Sequence, residues 1–161
     1  MNIKIIDNFL KTDEFNNLKN IFLSNSFDWC FDSYINTKED KDKFQFTHFF
    51  FEHTVVYSNH LHLLKPILNK LNCKALIRAK LNLTTQTDKS IIHGYHNDFD
   101  NNKTAIMYFN TTNGKTYFKD YNSVDCIENR LIKFDSNLKH SGSSCTDKLR
   151  RVALNINYYE F

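Results

Sequence analysis

The sequence predicts an α+β domain that is mainly β, built on an antiparallel sheet or barrel. Helical spacing of apolar residues is confined to the stretch before Lys74, and from there apolar and polar residues alternate with period two. The 161 residues, 41% hydrophobic and 15% aromatic, suffice for one compact core and leave little for a second. A single domain over residues 1–161 is expected, with 1–74 as strand and helix support and 75–161 as the β core.

Residues 3–7 read as an opening strand. Thr12 is placed to cap a helix whose first turn carries Asp13 and Glu14, acids that suit the positive end of the helix dipole. Phe15, Leu18, Ile21 and Phe22 share one face of it, which should pack on a sheet. Residues 36–43 form a charged run, most simply a solvated loop, and 44–51 an aromatic strand. Ser58 can cap a second helix running to Leu71, with Leu61, Leu64, Ile67, Leu68 and Leu71 at helical spacing. Pro66 should interrupt or kink it.

In the strand over 76–84, Arg78, Lys80, Asn82 and Thr84 share one face, opposite Ile77, Ala79, Leu81 and Leu83. The polar set faces either a cavity mouth or solvent. Gly94 and the polar run 98–103 punctuate the next segment as strand end and turn. In 104–110, Ala105, Met107 and Phe109 form the packed face, and Tyr108 on the other should offer its hydroxyl to a pocket. In the last run Val152, Leu154, Ile156 and Tyr158 pack, while Arg151, Ala153, Asn155 and Asn157 look into a cavity. This alternation favours Arg151 over Arg150 as a pocket residue.

Charge and cysteine content narrow the function classes. The formal charge of +3 comes from 21 basic and 18 acidic residues mixed along the chain, without the basic stripe of a nucleic-acid binder. No signal peptide or membrane span is legible, so a cytoplasmic setting is expected. Cys30, Cys73, Cys126 and Cys145 lack metal or disulfide spacing and read as reduced, mostly buried thiols. The glycosylation patterns at Asn82 and Asn110 carry no weight without secretion.

The chemistry concentrates in His96-Asn97-Asp98, His140 and Arg151. One His-x-Asp triplet means little, since 7 His and 18 acidic residues give about one chance match. On an extended segment, however, His96 and Asp98 point to the same side, and His140 completes two imidazoles and a carboxylate. That set forms a facial triad for ferrous iron, with open positions for a co-substrate and dioxygen. Arg151 beyond it can grip a carboxylate with two charge-assisted hydrogen bonds. Taken singly, each of these residues is more often structural. His93 competes as a ligand only in a helical register, His60 and His62 diverge on a helix, and His48 and His53 belong to the aromatic strand and its end.

The runs ALIRAKLNL (75–83), HGYHNDFDNNKTAIMYFN (93–110), NGKTYF (113–118), NRLIKFDSNLKHSG (129–142) and RRVALNINYY (150–159) resemble, in this order, the 2-oxoglutarate- and Fe(II)-dependent oxygenases. The likeness is to small prolyl 4-hydroxylase-like members, including viral and phage ones, and covers roughly half the chain. It implies a double-stranded β-helix, or jelly roll, with supporting N-terminal helices. It further implies His96, Asp98 and His140 as iron ligands, Arg151 as partner of the distal carboxylate of 2-oxoglutarate, and Tyr108 as a second contact to it. Asn82 is a candidate cofactor contact or a structural amide. Collagen-type prolyl hydroxylases carry Lys where Arg151 stands, so their substrate is not implied.

The expected function is therefore a dioxygenase using Fe(II), 2-oxoglutarate and O2, with ascorbate as an optional reductant. It would hydroxylate a protein or peptide side chain and release succinate and CO2. Alternatives are a nucleic-acid or nucleotide demethylase on the same iron site, a metal barrel that does not use 2-oxoglutarate, and a non-catalytic jelly-roll binding module. Specificity is expected in the loops at 36–46 and 84–92.

Overall fold

The computed structural model describes residues 3–35, 43–119 and 121–160. In chain order the elements are β1 (Lys4–Ile6), α1 (Thr12–Phe22), β2 (Cys30–Asp32), β3 (Gln45–Glu52), β4 (Val55–Val56), a 3-10 turn (Asn59–Leu64), α2 (Lys65–Lys70), β5 (Ala75–Thr85), β6 (Lys103–Tyr108), β7 (Lys115–Phe118), β8 (Tyr121–Asp125), β9 (Leu131–Asp135), β10 (His140–Gly142) and β11 (Arg150–Tyr159). Residues 36–42 of the expected charged loop lie outside the described residues.

Two antiparallel sheets form a double-stranded β-helix. The larger runs β1-β9-β6-β11-β5-β3-β2, with β4 paired to β3, and the smaller runs β10-β7-β8. The segment before β6 extends the smaller sheet through antiparallel bridges Ile92↔Ser143 and His96↔His140. Strands from the N-terminal third join the large sheet at both edges: β1 pairs with β9, and β3 pairs with β5.

Two cores follow from the alternation. Val152, Leu154, Ile156 and Tyr158 of β11, with Ala105, Met107 and Phe109, face α1 and α2 and meet Phe15, Leu18, Phe22, Leu64 and Ile67. Phe22 sits at the centre of this layer, its ring 5.0 Å from Phe109, 5.2 Å from Phe27 and 5.7 Å from Phe50. Truncating such a buried ring costs about 3–5 kcal/mol, because the cavity closes only partly. Between the sheets lies a smaller core containing Ile106, Tyr108, Phe118, Val124, Ile132, Phe134 and Ala153.

The helix boundaries differ from expectation. Thr12 is the first residue of α1 and Lys11 occupies the cap; the Lys11 N–H donates to Glu14 Oε2 at 3.3 Å. The expected second helix divides in two. Ser58 caps a 3-10 turn, its Oγ accepting from the His60 N–H at 3.1 Å, and α2 begins at Lys65. Pro66 therefore falls in the first turn of α2, where its missing N–H leaves no bond unmade. Cys30 is exposed and Cys73 half-buried, while Cys126 and Cys145 are buried; all four are free thiols.

Candidate metal centre and its pocket

His96, Asp98 and His140 converge where the two sheets meet. Their ligand atoms all lie within 4.8 Å of one another, and among the described residues they form the cluster able to hold a metal. Each imidazole Nε2 is 3.8 Å from an oxygen of Asp98. Such separations are about twice a metal–ligand bond, so one ion can reach all three.

The segment carrying His96 is not the strand expected. Isolated bridges hold it, and at His96 itself the His96 N–H donates to the His140 carbonyl at 3.0 Å, and the His140 N–H donates back at 2.8 Å. Asp98 is tied by its own N–H to the Ser136 carbonyl, 3.1 Å away. Both Nδ1 atoms face backbone oxygens, that of His140 donating to Leu138 at 2.9 Å and that of His96 lying 3.4 Å from Gly94. This tautomer leaves each Nε2 lone pair free for a metal.

The carboxylate is held more tightly than either imidazole. Asp98 accepts from Arg78 Nη2 at 2.7 Å, Thr104 Oγ1 at 2.9 Å and Asn157 Nδ2 at 3.0 Å, with Asn155 Nδ2 at 3.4 Å. Burial alone would raise its pKa, but Arg78, then His140 and the Asn157 hydrogen bond, bring it down to about 2. Burial foremost, then the charge of His140, pushes His96 down to about 4. An ionised Asp98 and a neutral His96 at neutral pH are the forms that bind metal.

A cavity of about 280 Å³ runs from the triad to Arg151, walled by Arg78, Lys80, Asn82 and Thr84 of β5 and by Ala153 and Asn155 of β11. The polar face of β5 thus faces the cavity, not open solvent. Arg151 is buried at the far end, its Nη2 donating to Thr116 Oγ1 at 3.1 Å, while Arg150 turns away to the Leu23 carbonyl at 2.6 Å. Glycines make room for Arg151. A Cβ on Gly114 would stand 2.8 Å from Arg151 Cδ, and one on Gly142 would stand 3.3 Å from Nη1.

Among the described residues, Arg151 Nε, Thr84 Oγ1 and Asn155 Oδ1 are buried in the cavity wall without a hydrogen-bond partner. Orphaned polar atoms are costly in a dry interior, so these mark places for a polar ligand. Asn82 lines the same wall, half-buried. Tyr108 does not reach the cavity: it is fully buried, and its hydroxyl donates to Thr116 Oγ1 at 2.7 Å. Its ring lies beneath Arg151, 5.3 Å from Cζ, because Tyr108 packs in the core between the sheets. Burial above all raises its pKa to about 12, so it stays a neutral donor.

Sequence reasoning missed Arg78 as the partner of Asp98, and Thr104 beside it. Position on the face of Asn82 was the available signal for Arg78, and nothing in the local pattern singled out Thr104.

No protein-family model matches the sequence, and no curated protein matches it. Solved structures do share the fold. A prolyl hydroxylase from Trichoplax adhaerens, in complex with a hypoxia inducible factor peptide fragment, superposes with a TM-score of 0.65 at 14% identity, over 98% of this chain and 83% of that one. An oxidoreductase of the 2OG-Fe(II) oxygenase family from Burkholderia pseudomallei gives 0.68 at 10% identity, over 97% and 84%. HygX from Streptomyces hygroscopicus, with nickel and 2-oxoglutarate bound, gives 0.61 at 9% identity, over 98% and 82%. At these identities the likeness is one of fold.

Proposed function

We propose that this chain is a 2-oxoglutarate- and Fe(II)-dependent dioxygenase, one catalytic domain that hydroxylates a side chain of a protein or peptide. One observation carries the reading: a cavity with two imidazoles and a carboxylate at one end and a buried guanidinium with a free N–H at the other. A keto acid with a second carboxylate fits those two ends. The hydroxylase with a bound peptide among the proteins of like fold supports a peptide substrate.

The residues present fit the metal and the co-substrate. His96, His140 and Asp98 are the donor set ferrous iron takes in a facial triad, and an ionised Asp98 and a neutral His96 are the forms that bind it. When bound, iron and 2-oxoglutarate supply the oxidation, in which O2 is consumed, succinate and CO2 are released and a substrate C–H becomes C–OH.

The chain's own work is placement. Arg151 offers Nε and its terminal nitrogens to the distal carboxylate, and Thr84, its register partner on β5, adds a hydroxyl from the adjacent strand. Thr116, held by Tyr108, keeps the guanidinium aimed along the cavity. Ile106 and Ala153 give the cavity apolar walls, which strengthen these contacts by limiting water. Arg78, Thr104 and Asn157 fix the orientation of Asp98 and so the open side of the triad.

Succinate release from 2-oxoglutarate tests the proposal. The purified chain with Fe(II) should form succinate in air, and should cease when the metal is chelated or when His96 is replaced by Ala. Undiminished formation in the His96→Ala variant would overturn the assignment.

A further inference from the structure

Among the described residues, three cations line the cavity, Arg78, Lys80 and Arg151, against one anion, Asp98. Arg78 is paired with Asp98, and Arg151 is taken by the co-substrate in the reading above. Lys80 is left over. Among the described residues it has no hydrogen-bond or ion-pair partner, and its Nζ rests over the ring of Phe49 at 5.2 Å. A divalent metal and a dianionic co-substrate bring charges that cancel, so the loaded cavity keeps this surplus.

Register places Lys80 beside the triad. Its partner on β11 is Asn155 and its neighbour on the same face of β5 is Arg78, both of which reach Asp98. Its partner on β3 is Phe49, whose ring lies 6.1 Å from that of Tyr57, a residue 60% exposed. Lys80 therefore stands between the metal end of the cavity and the Phe49–Tyr57 ring pair, whose outer member is open to solvent.

We infer that Lys80 is a specificity-determining residue that receives an anionic group of the substrate, a carboxylate or a phosphate monoester carried next to the carbon to be oxidised. The inference rests on the dioxygenase reading for the identity of the site. An ammonium half-buried in a cavity wall is costly unless an anion meets it, and a cation–π contact compensates only part of that cost. Burial, then the charge of Arg78, pushes the Lys80 pKa down to about 8, and the charges of Asp32, Asp98 and Glu52 offset this only in part. A Lys at this position is a point charge with rotatable donors, suited to either anion.

Binding of four acetylated, amidated tripeptides decides the matter: Ala-Glu-Ala and Ala-phosphoSer-Ala, with Ala-Gln-Ala and Ala-Ser-Ala as neutral controls. They are titrated into the full chain loaded with Mn(II) and 2-oxoglutarate under argon, and followed by NMR. At least one acidic probe should bind about 10-fold more tightly than its control, the scale of one charge-assisted contact. Which of the two does so identifies the anion. The preference should vanish in Lys80→Met and persist in Lys80→Arg, with 2-oxoglutarate affinity unchanged in both.

Equal binding of acidic and neutral probes by the wild-type chain would overturn the inference. So would a Lys80→Met variant that loses 2-oxoglutarate instead of the peptide, which would make Lys80 a co-substrate contact. Repeating the peptide titration on metal-free protein separates the two proposals: failure of the metal-loaded chain to bind 2-oxoglutarate would remove the dioxygenase reading, while the acid-against-amide comparison on the metal-free chain would still judge Lys80.

Discussion

Arg78 and Asp98 form a buried ion pair inside the candidate metal centre, Nη2 to Oδ1 at 2.7 Å, with the Asp98 side chain only 2% exposed. The guanidinium takes one carboxylate oxygen, and Thr104 and Asn157 take the other. Arg78→Met removes the charge that holds Asp98 in place. Metal affinity should fall by about 10- to 100-fold, as for other partners of ligating side chains. Titration with Fe(II) or Mn(II) checks this, and an unchanged dissociation constant would mean that Asp98 needs no such support.

Asp98 and His96 should differ in their effect on stability. Asp98→Ala leaves Arg78, 17% exposed and still bonded to Asn157, without its anion, a loss of about 3 kcal/mol, the low end for removing one partner of a buried pair. His96→Ala breaks no side-chain hydrogen bond shorter than 3.4 Å and should unfold close to wild type. Chemical denaturation of the metal-free variants should therefore rank Asp98→Ala well below His96→Ala, while both variants lose turnover.

Arg151→Ala should chiefly raise the 2-oxoglutarate concentration needed, by about 10- to 100-fold if it removes a charge-assisted contact of about 1.5–3 kcal/mol. Gly114→Ala should act in the same direction without touching the charge, because the added methyl meets Arg151 Cδ at 2.8 Å. Measuring apparent 2-oxoglutarate affinity for both variants tests whether Arg151 acts by position as well as by charge.

Tyr108→Phe removes the donor to Thr116 but no cavity-lining atom. We expect a stability loss of about 1 kcal/mol and an effect on 2-oxoglutarate affinity smaller than that of Arg151→Ala. Equal effects would show that the hydroxyl reaches the co-substrate after a rearrangement.

Asn129 is predicted to matter for folding alone. It adopts a left-handed backbone with φ 58°, and its amide bonds both Leu10 N–H and Leu10 carbonyl, at 2.9 and 3.0 Å. Asn129→Ala should cost about 2–3 kcal/mol from two lost buried hydrogen bonds and backbone strain. Its denaturation midpoint should fall while metal and 2-oxoglutarate binding stay as in wild type.

Much of this architecture is legible where a residue's neighbours two positions away settle its environment. The alternation in 150–159 assigns the two faces of β11 and separates Arg151 from Arg150, since strand geometry leaves no third option. The order His96, Asp98, His140, Arg151 likewise marks the residues that the fold brings to one cavity. Legibility fails where tertiary hydrogen bonds override local pattern. His96 is held by one bridge, not by a strand, and Tyr108 spends its hydroxyl on Thr116, a residue eight positions further along. Arg78 is twenty positions from Asp98, and no periodicity relates them. The start of α1 moved by one residue because the Glu14 carboxylate reaches back to Lys11.

Titration of 2-oxoglutarate into the anaerobic Fe(II)-loaded chain, with His140→Ala as control, is the most direct measurement. A saturable, weak visible charge-transfer band from the chelated keto acid is expected in the wild-type chain and absent in the variant. An iron-loaded wild-type chain that shows no such band, or a His140→Ala variant that shows the same one, would contradict the dioxygenase reading.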